Sequence, residues 1–211
     1  MTSQTSRADI VGFDLDMTLI DSRGAILASF AAVARETGVA IDPAGVDSRL
    51  GIKLEDELIH WFPAREVPAA IEVYRRHYRL LSEPLTTLLP GARESVAAVR
   101  AAGARVVVIT AKLAATARRA LAELDLPVDD LLGDLHGAQK GEALARLAAA
   151  AYVGDTPPDM RAAVSAGALA VGVATGSFSA GDLSAAGAQV VLASLEQFPA
   201  WYVEYRADYW A

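Results

Sequence analysis

The chain has 211 residues, 53% hydrophobic and 21% charged. That supplies one mid-sized core with a smaller insert and excludes global disorder. It has no cysteine and a net charge of −7, which excludes disulfides, thiolate metal sites and cysteine nucleophiles and disfavours nucleic acid as a partner. Met1 to Asp9 is polar with one Arg, so we expect a loose tail over 1–8, no secretory signal and a cytoplasmic setting; no apolar stretch reads as a membrane span.

The first element is Ile10-Val11-Gly12-Phe13-Asp14-Leu15, short and apolar on both faces, as in a buried parallel strand. Residues 22–88 then show helical periodicity and no clear strand. We expect helices over 25–38, 54–62 and 69–82, forming an inserted helical cap with linkers near 21–23 and 83–90. Further strands are expected at 106–110, 151–155, 170–174 and 189–192. Helices over 91–102, 115–124, 141–149 and 158–166 separate them, two ending at Gly103 and Gly167. Strand–helix–strand repetition predicts an α/β fold with an open parallel, Rossmann-like sheet built from 9–21 and 89–211. At the C-terminal end, Phe198, Trp201, Tyr202, Tyr205, Tyr209 and Trp210 are expected to pack on the sheet flank.

Four segments carry chemistry. Asp14 and Asp16 alternate with Phe13 and Leu15, so in an extended chain both carboxylates share one side, about 7 Å apart. A hard cation explains such a pair, and a turn or helix cap is the competing explanation. Thr110 closes a strand, where its hydroxyl either meets an anion or sits in a turn. Lys140 precedes a helical run, and taken alone reads as surface. Asp155 and Asp159 follow another buried strand in Gly154-Asp155-Thr156-Pro157-Pro158-Asp159, where Asp155 by itself reads as an N-terminal cap. Strand carboxyl ends gather at one edge of a parallel sheet. Asp14, Asp16, Thr110, Lys140 and Asp155 would converge there, as phosphoryl transfer requires.

In these four segments the chain resembles the haloacid dehalogenase (HAD) superfamily, specifically its phosphatases with a helical cap after the first strand. Phe-Asp14-Leu-Asp16-Met-Thr18-Leu-Ile, Val-Val-Ile-Thr110-Ala-Lys, Gln-Lys140-Gly-Glu and Gly-Asp155-Thr-Pro-Pro-Asp159 occur in the family's order. The resemblance implies that Asp14 is a nucleophile forming an aspartyl-phosphate and Asp16 the acid and base. It implies Mg²⁺ on Asp14, Asp155 and the backbone carbonyl of Asp16, phosphoryl contacts from Thr110 and Lys140, and a supporting role for Asp159. The second Asp argues for phosphate monoesters, phosphoglycolate-like acids or sugar phosphates first. A phosphomutase, or a slow regulatory member of the superfamily, is the alternative. Met17 stands where many relatives have Gly, and Ala111 where they often have Asn. Lys112 is expected at the surface. In the loop Ser48-Arg49-Leu50-Gly51-Ile52-Lys53, Arg49 and Lys53 are expected to meet an anionic group of the substrate. His60 and His77 read as structural and His136 as a residue near the site rim. A small phosphorylated substrate is the expected partner, bound by a monomer or homodimer.

Overall fold

β1 (Ile10–Phe13) lies at the centre of the sheet because its side chains are buried on both faces. The structure, a computed structural model, describes residues 9–209, with side chains to 206. The expected tail over 1–8, and the packing roles expected of Tyr209 and Trp210, lie outside them. After β1 come β2 (Ile20–Asp21), α1 (Arg23–Thr37), α2 (Pro43–Asp47), α3 (Leu54–Leu58), α4 (Val67–Leu81) and β3 (Thr87–Leu88). The chain then alternates through α5 (Ala92–Ala101), β4 (Arg105–Ile109), α6 (Ala114–Glu123), β5 (Asp130–Leu132), α7 (Ala138–Leu147) and β6 (Ala151–Gly154). It closes with α8 (Pro157–Ser165), β7 (Leu169–Val173), α9 (Ala180–Ala185), β8 (Val190–Leu192) and α10 (Phe198–Tyr209).

Six strands pair in parallel in the order β5-β4-β1-β6-β7-β8. The period of two sorts their side chains between the faces. Val11, Phe13, Val106 and Val108 join a core with Val96 and Val99 of α5, Leu121 of α6 and Phe198 and Tyr202 of α10. Ile10, Val107, Ile109 and Tyr152 join the opposite core with Leu144 of α7, Met160 of α8 and Leu183 of α9. This is the expected α/β architecture. The C-terminal aromatics pack as expected: Phe198 lies 5.4 Å from Phe13 and 5.3 Å from Tyr202, and Trp201 stacks on Tyr205 at 5.3 Å.

The helices between β2 and β3 have their own apolar cluster. Phe30 and Val33 of α1, Val46 of α2, Leu58 of α3 and Ala70 and Ile71 of α4 are all buried in it. Several elements differ from the expected ones. β1 stops at Phe13, not Leu15. The expected linkers contain an antiparallel pair, Ile20 opposite Leu88 and Asp21 opposite Thr87. The cap has α2 besides the three helices expected, and β5 and α9 were not expected at all. β2, β3, β5, α2 and α9 are two to six residues long and show no period of their own, whereas the equally short β8 is marked by the β-branched pair Val190-Val191.

Candidate active site

The sheet order puts the ends of β4, β1 and β6 side by side. Thr110, Asp14 and Asp155 each stand one residue beyond those strands. Asp14 stays in line because its N–H donates to the carbonyl of Val153 at 2.8 Å, and Thr110 because its N–H donates to Leu132 at 2.9 Å. Lys140, in the first turn of α7, reaches back under the edge. Its Nζ lies 2.6 Å from Asp159 Oδ1 and 3.0 Å from Asp14 Oδ1. All five side chains are at least nine-tenths buried.

Each group is held differently. Asp155 Oδ1 accepts from Thr18 Oγ1 at 2.9 Å, a contact the sequence reading missed although Thr18 lies within the first segment. Asp155 is not the cap of α8. Thr156 is: its Oγ1 accepts from the Asp159 N–H, and Asp159 Oδ2 accepts from both the Thr156 hydroxyl and its N–H. Asp159 therefore has both oxygens engaged, one by this capping box and one by Lys140. Asp14 Oδ1 is different. It faces the Lys140 ammonium as an ion pair at 3.0 Å, and no hydrogen-bond partner completes this buried oxygen among the described residues.

Burial drives the electrostatics. It raises the Asp14 carboxyl to about 7, partly opposed by Lys140 and aided by Asp159. Burial, then the charges of Asp14 and Asp159, also hold Asp155 well above the usual carboxylate range. For Lys140, burial pulls the ammonium down, but Asp14 and Asp159 push it further up, so it stays charged. Three buried carboxylates thus share one ammonium, and their oxygens approach within 4.8 Å of one another. Such a set calls for a further cation. The donors fit a hard divalent ion: Asp159 is already satisfied, while Asp14 Oδ1 is unbonded. Asp155 Oδ2 faces Gly176, where any side chain would collide, since a Cβ would come within 2.0 Å of it.

Asp16 belongs to a different cluster. Past the end of β1 the chain turns sharply, with Met17 in the left-handed region at φ 60°. That conformation costs a non-glycine residue about 1 kcal/mol. The turn directs Asp16 toward Ser22 Oγ and Lys112 Nζ, each 2.5 Å from its Oδ1. Lys112 is therefore not the surface residue expected. Its side chain is only 9% exposed, between the Asp16 carboxylate and the Tyr78 ring.

The cap loop lies over this edge. Gly51, at φ 97°, sits so close to Thr156 Cγ2 that a Cβ there would come within 2.8 Å. Ser177 Oγ donates to the Asp47 carbonyl at 2.8 Å. Arg49 is turned into the cap, where it forms a bidentate pair with buried Glu57, 2.8 Å at both nitrogens, and lies over Trp61. Lys53 is exposed at the start of α3. Burial, then the charges of Lys53 and Lys140, lower the His136 pKa. His60 is exposed, and His77 pairs with Glu36 at 2.8 Å.

A family model described as haloacid dehalogenase-like hydrolase matches residues 11–132, and a second, HAD-hydrolase-like model matches 110–198. The chain is 30% identical over 203 residues to a Dickeya dadantii protein named probable phosphatase IndB, covering 87% of this chain and 88% of that one. Among solved structures, a predicted phosphatase from Clostridium acetobutylicum superposes with a TM-score of 0.82 at 21% identity, covering 94% of this chain and 100% of the other. A predicted phosphoglycolate phosphatase from Haemophilus somnus superposes at 0.75 with 18% identity, covering 94% and 99%.

Proposed function

Since the chain belongs to the haloacid dehalogenase-like hydrolases and is an enzyme of phosphatase type, we propose that it hydrolyses small phosphate monoesters through an aspartyl-phosphate on Asp14. The observation that carries this reading is Asp14 itself. It is a buried carboxylate with an unbonded oxygen at the carboxyl end of the central strand, beside a charged lysine. A carboxylate so desolvated, with its counter-charge fixed in place, is suited to attack phosphorus.

In the first step Asp14 forms a bond to phosphorus as the ester P–O bond breaks, and Asp16 gives its proton to the departing oxygen. In the second, Asp16 takes a proton from water, whose oxygen displaces Asp14 from phosphorus and releases phosphate. Lys140 steadies the phosphoryl oxygens. So does Thr110, whose Oγ1 accepts from the Lys112 N–H at 3.2 Å and keeps its own proton to donate. Asp159 holds Lys140. Asp14, Asp155 and the carbonyl of Asp16 would hold Mg²⁺, which when bound supplies positive charge opposite the phosphoryl oxygens. Lys53 and, on release from Glu57, Arg49 would meet an anionic part of the substrate. Phosphoglycolate-like acids and sugar phosphates are the leading candidates. The reading sets the enzyme in the cytoplasm, acting on a free small molecule.

The test is phosphate release from a panel of small monoesters, with Mg²⁺ or with EDTA. Wild type should turn over in Mg²⁺ only, and Asp14→Asn should fall to background while remaining folded. Turnover by folded Asp14→Asn would remove the phosphoenzyme route. Phosphoryl exchange between hydroxyls without phosphate release would favour a mutase.

A further inference from the structure

Lys112 has no step in the reaction above, yet it is buried, and burying an ammonium is unfavourable unless something holds it. Two groups do. Its Nζ is 2.5 Å from Asp16 Oδ1 and lies over the ring of Tyr78, 4.6 Å from the centroid. Its backbone is fixed as well: its N–H donates to Thr110 Oγ1, and its carbonyl accepts from the Asp134 N–H at 2.9 Å. One short segment after β4 thus carries both a phosphoryl contact and a fixed cation aimed at Asp16.

We propose that Lys112 is a positioning residue that sets the direction of the Asp16 carboxyl, and that Tyr78 of the cap braces it in that position. This rests on the reading of Asp16 as the acid. Asp16 lies beyond the strand, and its side chain is 23% exposed, so its carboxyl would rotate without anchors. Lys112 and Ser22 both bind Oδ1. That fixes the plane of the group and leaves Oδ2 as the oxygen that carries the proton to the leaving group. Ser22 is free for this because its hydroxyl makes no capping bond to α1. Tyr78 sits near the end of α4, buried at 6% exposure, so its ring stays over the ammonium only while α4 is seated on the core. The acid is correctly aimed when the cap is in place.

The test compares leaving groups. kcat/KM covers the steps up to ester cleavage, so a misdirected acid is felt most by a poor leaving group. For Lys112→Met we expect kcat/KM on an alkyl phosphate to fall about 10-fold or more beyond its fall on 4-nitrophenyl phosphate, within the range general-acid catalysis supplies. Lys112→Arg should restore part of the difference. Should Lys112→Met fail to fold, Tyr78→Leu keeps the lysine and should show the same leaving-group bias at smaller size. Equal losses on both substrates, with wild type active on both, would overturn the positioning role and leave the phosphatase reading standing. A wild type that releases phosphate from neither would remove both.

Discussion

Thr18 shows how much a single hydroxyl does at this edge. Its bond to Asp155 Oδ1 is buried, so Thr18→Val would leave that oxygen without a donor at a cost of about 1–3 kcal/mol. Thermal melts should show the loss, and half-maximal phosphate release should need more Mg²⁺; unchanged Mg²⁺ dependence would mean that Asp155 does not depend on Thr18. Asp14 sets a pH dependence. Burial raises its folded value from 3.8 to about 7, so between those values the folded chain binds more protons than the unfolded one. Stability from this group then falls as pH rises through that window. A divalent ion competes with the proton for the same oxygens. The rise in Tm on adding Mg²⁺ should therefore be larger at about pH 8 than at about pH 5.5, and an equal rise at both would contradict this account.

At the scale of elements, the cap loop comes within packing distance of the core at Gly51. Gly51 packs on Thr156 with no space for a methyl group, and its positive φ disfavours any other residue. Gly51→Ala should therefore lower kcat/KM by holding the loop away, while Tm, set mainly by the sheet, changes little; an unchanged kcat/KM would show that this contact is dispensable. The antiparallel pair of β2 and β3 ties the two chain crossings together. Ser22, next to β2, holds the Asp16 carboxyl, and Lys112 holds it from the core side. The elements that carry the cap are thus also those that orient a candidate acid.

At the scale of the whole molecule, two helical layers enclose the sheet, and α10 closes one of them. Phe198 is fully buried against Phe13 and Tyr202. Phe198→Ala should cost about 3–5 kcal/mol through lost burial and the cavity left behind. Denaturant melts check this, and a loss below about 1 kcal/mol would mean that the layer collapses to fill the gap. Among the described residues no helix is long and apolar enough to cross a membrane.

The amino-acid order alone determined the parallel sheet, because its central strands are apolar on both faces and separated by amphipathic helices. It also pointed to Asp14, Asp16, Thr110, Lys140 and Asp155 as one group, since residues just past parallel strands gather at one edge; Asp14, Thr110, Lys140 and Asp155 lie there with Asp159, while the Asp16 carboxyl turns to Ser22 and Lys112. It was silent on β2, β3 and β5, which are too short to show a period. It misread Lys112 as surface, because a lysine's burial depends on the Asp16 and Tyr78 that meet it across 96 and 34 positions of chain. Only the tertiary structure turned Arg49 into the cap, through the carboxylate of Glu57. Only it gave the Asp16 carboxyl its partners, Ser22 and Lys112, past the point where β1 stops at Phe13. Those outcomes follow from burial, which makes each charged group find a partner, and the partners are chosen by packing across the fold rather than by neighbours along the chain.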